Sequence, residues 1–334
     1  MYQPNLFSLF SYFSVYSSCV SHWVSKMKIS VRLQGGLGNQ LFQLAAGFVT
    51  AKKMYQDSLT LDASRIPFGT DSSRRLQISN LRLIPDEIEL KFSGKTLHNL
   101  SSIVPSHRLA SLISMSIASA REKFFLGKGE FIHEFKDFDS MANSSTNLIL
   151  NGYFIDFSIA DLAESLGFRN NLELLHEESC WLKEQLHTIE FSETIAIHLR
   201  LGDYLRFPQI FGNVSDDFYF EGLTQLGYKK KNRILIFSDQ PNRVANTIPR
   251  IANLENVEIV RHPINVSSTE IMLFMSKFER IICANSTFSM WAAWFNDDVQ
   301  NRKKGVVIPT PYLLNGDDII TPESWIKLPR ELPA

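Results

Sequence analysis

Short apolar segments alternate with helical segments through the second half of the chain, and this alternation restricts the fold more than any other feature. The apolar segments have the length of strands; the first lies within 189–201, and the others are 233–237, 257–260, 280–284 and 306–308. Segments with helical spacing separate them around 216–226, 242–252, 268–277 and 288–294. Strands that alternate with helices are typical of a parallel, doubly wound sheet. The second half is therefore predicted to be a Rossmann-like α/β domain.

The first half begins with a unit of the same kind. Residues 28–33 alternate apolar and polar side chains and predict a strand, and a run of glycines that ends at Gly38 follows it. Asn39 then opens a segment with helical spacing. Glycines allow a backbone to approach a ligand closely, and the free N–H groups at the start of a helix attract anions. This turn is therefore expected to bind phosphate.

A dinucleotide site is an alternative interpretation of this turn. Asp62 follows a second short strand at 59–61, near the spacing at which a ribose-binding acid is expected. Leu41, however, stands where the dinucleotide fingerprint has its third glycine. The fingerprint is incomplete, so a nicotinamide or flavin enzyme stays an alternative.

The strand that ends near residue 201 carries polar residues on one of its faces. Its even-numbered members, which include His198 and Arg200, point away from the side that its isoleucines and leucines occupy. An arginine is hard to bury without an anion, and ligands of open α/β sheets gather outside the carboxyl ends of strands. We therefore expect Arg200 to meet a carboxylate or phosphate, with Asp203 in the loop that lines the same crevice. The alternative is a structural ion pair between Arg200 and Asp203.

Two later strand ends carry further polar side chains. Asp239 follows the second strand of this half, where it would either line the crevice or cap the next helix. Asn285, Ser286 and Thr287 follow the fourth strand and open a helix, so they offer donors that suit a diphosphate. The alternative for this segment is a helix cap followed by an aromatic core helix.

Three of these segments together resemble one protein family. They are 35–43 (GGLGNQLFQ), 198–204 (HLRLGDY) and 285–291 (NSTFSMW). In this order they are similar to motifs of the α-1,2-fucosyltransferases, glycosyltransferase family 11, and the resemblance covers roughly 28–328. It implies a GT-B type α/β fold, in which two Rossmann-like domains face each other across a cleft.

The resemblance also implies an activity. The enzyme would move L-fucose from GDP-β-L-fucose to the 2-hydroxyl of a galactose unit, with inversion and with neither a metal nor another cofactor. The acceptor would be a galactose-containing oligosaccharide or a lipid-linked glycan. The alternatives are a transferase that uses another nucleotide sugar and a non-catalytic protein that binds a sugar nucleotide or a glycan.

The same resemblance suggests roles for individual residues. Arg200 and Asp203 would be catalytic, although pairing with Arg200 would lower the pKa of Asp203 and make it a poor base. Glu270 is the nearest acidic residue for guanine recognition. The residues expected to bind the donor are His198, Gly38, Asn39, Gln40, Asp239, Glu270, Asn285, Ser286 and Thr287.

Two positions depart from the family pattern. Leu201 stands where the family usually has a second arginine, and the strand alternation directs this leucine into the core. The family's Gly-Tyr-aromatic element at 151–154 is followed here by Ile155 and Asp156 in place of the usual Gln and Ser. Arg200 alone is therefore expected to act on the diphosphate, and acceptor contacts in the loop at 151–156 are in question.

The chain of 334 residues is long enough for two domains of ordinary size. Residues 65–145 are predicted to be mostly helical or irregular, and strand character returns at 148–154. The expected divisions are an N-terminal extension at 1–27, an N-terminal domain on the acceptor side at 28–158, a C-terminal domain on the GDP-fucose side at 159–315 and a tail at 316–334.

Composition excludes two other classes of function. The formal net charge is -1 and no stretch is strongly basic, so the chain lacks the field that sequence-independent nucleic-acid binding requires. The three cysteines have neither disulfide-framework nor zinc-site spacing, which suits a reducing compartment. An Asp-x-Asp triplet at 137–139 is interpreted as a chance occurrence rather than a metal clamp.

The first residues bear on localisation. Residues 6–24 carry no Asp, Glu, Lys or Arg and are rich in Phe, Tyr and Ser, but no basic residue precedes them. We expect a cytoplasmic protein or one at the cytoplasmic face of a membrane. A peripheral membrane association, or a Golgi membrane protein if residues 6–24 are a signal anchor, is the alternative. Met27 directly precedes the first strand, so 1–26 also fits a dispensable extension.

Overall fold

The structure is a computed structural model that describes residues 27–64, 66, 75–93, 129–134, 147–169, 172–202, 204, 208–212, 214–296, 305–314 and 318–331. Asp203, the Asp-x-Asp triplet at 137–139 and the segment 6–24 lie outside these residues. Among the helices of the described ranges, none combines the length and apolar character that crossing a membrane requires.

The N-terminal sheet has five parallel strands in the order β3-β2-β1-β5-β4. The strands are β1 (Ile29–Arg32), β2 (Ser58–Asp62), β3 (Glu89–Ser93), β4 (Gly129–Ile132) and β5 (Asn147–Leu150). The predictions for β1, β2 and β5 are confirmed. The prediction that 65–145 is mostly helical or irregular is wrong at β3 and β4, where the sheet has two further strands. In β3, exposed Glu89 and Lys91 alternate with partly buried residues, so its apolar signal is weak.

Helix α1 (Leu37–Lys53) follows β1 directly after the glycine turn, and it is buried along most of its length. Helix α2 (Phe157–Ser165) packs against it, with the rings of Phe42 and Phe157 4.8 Å apart. The Asp156 side chain accepts a hydrogen bond from the Ser158 N–H at 2.7 Å and so caps α2. Asp156, one of the two departures from the family pattern, therefore begins a helix. Helix α3 (Cys180–Thr188) leads to the second sheet.

The C-terminal sheet has six parallel strands in the order β11-β10-β9-β6-β7-β8. The strands are β6 (Thr194–Leu199), β7 (Arg233–Ser238), β8 (Val257–Ile259), β9 (Arg280–Ile282), β10 (Val306–Thr310) and β11 (Ile326–Pro329). The helices between them are α4 (Pro208–Phe211), α5 (Asp216–Gln225), α6 (Val244–Thr247), α7 (Pro249–Ala252), α8 (Ser268–Ser276) and α9 (Thr287–Trp294). Two parallel Rossmann-like sheets confirm the predicted GT-B type architecture.

One expected boundary falls inside a helix, and the expected C-terminal tail contains a strand. The boundary between 158 and 159 lies within α2, which packs on α1 of the N-terminal sheet. The tail at 316–334 contains β11, which pairs in parallel with β10. This strand alternates partly buried and exposed residues at the edge of the sheet, so it belongs to the C-terminal domain.

Each sheet reverses its strand order at one point, and these points position the site. In the C-terminal sheet the chain runs from β6 to β7 and β8 on one side, and then returns to the other side of β6 as β9. In the N-terminal sheet it runs from β1 to β2 and β3, and then returns to the other side of β1 as β4 at the edge and β5 beside β1. Ligands of open α/β sheets bind outside the carboxyl ends of strands where the order reverses.

The two sheets share one apolar core. Phe157 is fully buried, and its ring lies 5.4 Å from that of Trp291 on α9 and 5.2 Å from that of Trp325. Phe42 on α1 also contacts Trp291, at 4.9 Å. These rings come from both halves of the chain and belong to one continuous cluster of buried residues. The packing therefore fixes α1 against α9. It also fixes the position of the crevice at the strand ends of one sheet relative to that of the other.

Candidate active site

Polar side chains from three neighbouring strand ends meet at one edge of the C-terminal sheet. Arg200 directly follows β6, Asp239 directly follows β7, and the segment 285–287 follows β9. Strands β9, β6 and β7 are adjacent in the sheet. The prediction that these residues follow the carboxyl ends of parallel strands is confirmed, and β6 and β9 are the strands between which the order reverses.

Arg200 is held by a carboxylate from the neighbouring strand end. Its Nη1 atom lies 3.2 Å from Oδ2 of Asp239, and the two side chains are 19% and 23% exposed. The Arg200 guanidinium also lies 5.9 Å from the ring centre of Tyr204. A guanidinium has five N–H donors in a planar fork, a geometry that matches carboxylate and phosphate oxygens. The expected alternative, an ion pair with Asp203, falls on a residue outside the described ranges.

The Asp239 carboxylate also organises the loop that follows Arg200. Oδ1 accepts the Leu201 N–H at 2.9 Å, and Oδ2 accepts the Gly202 N–H at 3.0 Å. A Cβ atom at Gly202 would lie 2.5 Å from Oδ2, so the carboxylate occupies the space that a side chain would need. Leu201 points into the core, as the strand alternation predicts.

His198 is a buried, neutral histidine with an unsatisfied ring nitrogen. The residue is 5% exposed, and its ring packs 5.7 Å from that of Phe288 on α9. Burial, and to a lesser degree the positive charge of Arg200, lowers the pKa of His198 to about 3. Within the described part of the chain, Nδ1 has no hydrogen-bond partner. A buried polar atom without a partner is costly, and a bound ligand would satisfy it.

Helices α1 and α9, which follow strands of different sheets, begin in contact with each other. A Cβ atom at Gly38 would lie 2.5 Å from the carbonyl carbon of Thr287, so only glycine permits this approach. The Thr287 hydroxyl donates to Oδ1 of Asn39 at 2.9 Å. Ser286 is the N-cap residue of α9. Both helix starts carry partial positive charge, and their proximity favours an anion nearby.

Two tyrosines to which the sequence analysis gave no role join the loops of the site. The Tyr204 hydroxyl donates to the Asn285 carbonyl at 2.7 Å, and its ring stacks on Phe211 at 4.2 Å. Tyr312, after β10, is hydrogen-bonded to the Tyr204 side chain and to the Thr287 backbone. Burial raises the pKa of Tyr312 to about 12, so its phenol is neutral. Tyr204 stands in the 198–204 motif, whereas no sequence pattern marks Tyr312.

Gln40 requires a correction, because its side chain supports the protein itself. The residue is fully buried. Nε2 donates to the carbonyls of Gly35 at 3.1 Å and Arg75 at 2.8 Å. Oε1 accepts the N–H groups of Gln77 at 3.1 Å and Ile78 at 3.3 Å. With two donors and two acceptor positions in use, the amide has no capacity left for a donor substrate.

Glu270 requires the same correction. It is buried and forms a capping box with Ser267 at the start of α8. Its Oε2 accepts the Ser267 N–H at 2.9 Å, and Oε1 accepts the Ser179 N–H at 2.8 Å. Burial by itself would raise the pKa of Glu270, but the hydrogen bonds from Ser267 and Ser179 hold it below its ordinary value. The carboxylate therefore stabilises the start of α8, and its two oxygens are engaged by Ser267 and Ser179.

Asn285 also acts within the protein. Its side-chain Nδ2 donates to the Phe211 carbonyl at 2.9 Å, and the residue is buried. The amide fixes the loop after β9 against α4 through this hydrogen bond. No group of three or more His, Cys, Asp and Glu side chains in the described ranges is arranged to hold a metal ion.

The chain is similar to known glycosyltransferases. The sequence profile of Glycosyl transferase family 11 matches residues 164–310, which include Arg200, Asp239 and Thr287. The chain is 30% identical over 316 residues to the O-antigen biosynthesis glycosyltransferase WbnK of Escherichia coli, covering 89% of this chain and 99% of the relative. It is 24% identical over 330 residues to an alpha-1,2-colitosyltransferase of Escherichia coli, covering 90% and 99%. Among solved structures, a family 9 glycosyl transferase from Veillonella parvula DSM 2008 matches with a TM-score of 0.45 at 11% identity, covering 92% of this chain and 86% of that one.

Proposed function

Because the chain belongs to glycosyl transferase family 11 and is a glycosyltransferase with a nucleotide-sugar donor and a glycan acceptor, we propose a specific reaction for it. The enzyme moves L-fucose from GDP-β-L-fucose to the 2-hydroxyl of a galactose unit, with inversion at the anomeric carbon. The observation that carries this proposal is the position of Arg200 at the end of β6, one of the two strands between which the sheet order reverses. A diphosphate bound there would meet a fixed cation.

The proposed role of Arg200 follows from the charge of the leaving group. Glycosyl transfer passes through an oxocarbenium-like state, and negative charge grows on the departing GDP. Arg200 neutralises that charge, and the N-terminal turns of α1 and α9, at Gly38 and Asn39 and at Ser286 and Thr287, add N–H donors. Since the protein supplies these groups itself, the proposed reaction needs no metal ion.

His198 is proposed to line the nucleotide pocket beside this diphosphate site. It lies on the strand that leads to Arg200, and its ring faces Phe288 on the first turn of α9. Its neutral imidazole adds no charge that would compete with Arg200 for the phosphates. The unsatisfied Nδ1 atom offers the donor a buried hydrogen-bonding position.

The acceptor is proposed to bind at the N-terminal sheet, outside the ends of β1 and β5. The loop after β5 is tied to α1, because Gln43 donates from Nε2 to the Gly152 carbonyl at 3.1 Å. Tyr153 in this loop is 48% exposed and offers an aromatic face to a sugar. Galactose-containing oligosaccharides and lipid-linked glycans are the proposed acceptors, and Asp203 stays the candidate base.

A second donor is suggested by the relative whose printed name is alpha-1,2-colitosyltransferase. Colitose is L-fucose without its 3-hydroxyl group, so the two sugars differ by one hydrogen-bonding group. A site that binds this hydroxyl would reject colitose, whereas an apolar site would discriminate weakly. Comparing the two GDP-sugars therefore establishes which donor the enzyme prefers.

The test of the proposal is incubation of the purified protein with GDP-fucose and lactose, followed by linkage analysis of the product. The proposal predicts an α-1,2-linked fucose on galactose, formed equally well with and without a metal chelator. Parallel reactions with GDP-colitose, GDP-mannose and UDP-galactose define the donor. Transfer from a UDP-sugar alone, or stabilisation by NAD but not GDP in a thermal shift assay, would overturn the proposal. Binding of GDP without transfer to any galactoside would indicate a non-catalytic protein.

A further inference from the structure

We propose that Asp239 is a positioning residue, which holds Arg200 and the backbone after it in the geometry that the diphosphate requires. This inference rests on the proposed function and goes beyond it, because it names the group that orients the cation. It replaces the expectation that Asp239 is itself a ligand of the donor. In its new role Asp239 acts on the substrate through Arg200.

Several contacts from one loop converge on the Asp239 carboxylate. Asp239 accepts two consecutive backbone N–H groups, those of Leu201 and Gly202, at 2.9 and 3.0 Å. It also meets Nη1 of Arg200 at 3.2 Å. Three consecutive residues of one loop are therefore fixed from the end of the neighbouring strand β7. A carboxylate with this many donors has little capacity left to bind a sugar or a base.

Gly202 provides a second, independent observation. A Cβ atom at this position would lie 2.5 Å from Oδ2 of Asp239, closer than the two atoms can approach. The glycine therefore permits the close approach of the carboxylate to the loop. Its place in the 198–204 motif, next to Arg200, is explained by this packing rather than by a ligand.

The contact with Asp239 sets the orientation of a group that suits phosphate. Arg200 meets Asp239 through one of its terminal nitrogens, and the planar donor fork of a guanidinium matches paired phosphate oxygens. Both side chains are partly exposed, so solvent weakens their mutual attraction. An orienting contact of this kind reduces the rotamer freedom that Arg200 would otherwise lose on binding the donor.

A competing role makes the opposite prediction. If the Asp239 carboxylate competed with the diphosphate for Arg200, replacing Asp239 would release the guanidinium and strengthen GDP binding. If Asp239 orients Arg200, its removal weakens GDP binding. The sign of the change in the dissociation constant therefore distinguishes the two roles.

The test is a double-mutant cycle on GDP binding, measured by titration calorimetry on the full chain. Asp239→Asn is expected to weaken GDP binding about tenfold in the wild-type background. In an Arg200→Ala background, Asp239→Asn should change GDP binding by no more than about twofold, because the arginine that Asp239 positions is absent. A purely structural role would weaken binding in both backgrounds alike. Asp217→Asn is the matched control. Asp217, on α5, pairs with Arg250 at 2.8 Å, and its replacement should leave GDP binding unchanged.

Gly202→Ala tests the same contact between the Asp239 carboxylate and the loop by changing the loop residue. Its Cβ displaces the Asp239 carboxylate, so it should weaken GDP binding as Asp239→Asn does, and the double variant should be no weaker than either single variant. Tighter binding of GDP by Asp239→Asn, or equal weakening with and without Arg200, would overturn the inference. If the wild-type protein fails to bind GDP at all, the proposed function and the inference fall together. If it binds GDP normally and Asp239→Asn does the same, the inference alone fails.

Discussion

A side chain at Gly38 would place its Cβ atom 2.5 Å from the carbonyl carbon of Thr287, so the first turns of α1 and α9 are in direct backbone contact. The two residues are far apart in the sequence and follow strands of different sheets. Their contact brings the glycine turn of one Rossmann-like unit against the diphosphate-binding turn that we propose in the other. The two domains can therefore approach this closely at the site because Gly38 has no side chain.

Gly38→Ala tests this contact. The added methyl group must push α1 away from α9, because two of the three nearest atoms, the Thr287 carbonyl carbon and the Phe288 nitrogen, belong to the backbone and cannot rotate aside. We expect fucose transfer to fall by on the order of a hundredfold, since a displacement of about 1 Å at a reacting centre has this effect. Gly222→Ala is the control, because the three atoms nearest to its Cβ would all belong to the Ile282 side chain, at 3.0 Å or more, and none to the backbone. Transfer by Gly38→Ala at the wild-type rate would contradict the contact.

The shared core predicts that both domains unfold together. Phe157 is fully buried among Phe42, Trp291 and Trp325, so Phe157→Ala leaves a cavity between the sheets. Such a change costs about 3–5 kcal/mol of unfolding free energy. Urea unfolding followed by circular dichroism and by tryptophan fluorescence should give one coincident transition, shifted to lower urea in the variant. Two separated transitions in the wild-type protein would show that the domains unfold independently.

His198 predicts a dependence of stability on pH. Its pKa is about 3 in the folded protein and 6.5 when unperturbed, so between these values the unfolded chain binds a proton that the folded chain does not. The stability that the neutral histidine contributes is complete above the higher value. It is lost as the pH falls toward the lower one, at about 1.4 kcal/mol per pH unit.

The measurement is urea unfolding of the wild-type protein and His198→Asn at about pH 7.5 and about pH 5. The wild-type protein should lose about 2 kcal/mol more than the variant between these conditions. His187, exposed in the last turn of α3, supplies the control, and His187→Asn should keep the wild-type dependence. An identical loss in the wild-type protein and His198→Asn would mean that this histidine is not buried in its neutral form.

Strong local patterns made much of this architecture predictable. Strand β6 alternates apolar residues on one face with Ala196 and His198 on the other, so both its existence and the side on which His198 lies follow from the sequence. The order of strands and helices likewise predicted parallel sheets. Strands β3 and β11 were missed because they lie at sheet edges and leave alternate residues exposed, which weakens the apolar signal.

The roles of polar residues were harder to predict, because they depend on contacts between distant parts of the chain. The Asp239 carboxylate meets N–H groups 37 and 38 residues away, and Gln40 meets the backbone at Gln77 and Ile78. No local pattern separates an Asp that orients a loop from one that binds a ligand. Glu270 is the exception, since a Ser followed three residues later by a Glu is the sequence signature of a capping box.

The most direct test of the role of Arg200 is the turnover of Arg200→Ala with GDP-fucose and lactose as substrates. Arg200→Lys is the companion variant. The account predicts that Arg200→Ala keeps the wild-type fold and loses on the order of a hundredfold or more in turnover. Arg200→Lys should recover only part of the rate, because an ammonium keeps the charge but not the paired donors. Turnover by a folded Arg200→Ala protein at the wild-type rate would contradict the claim that this guanidinium takes up the charge of the leaving diphosphate.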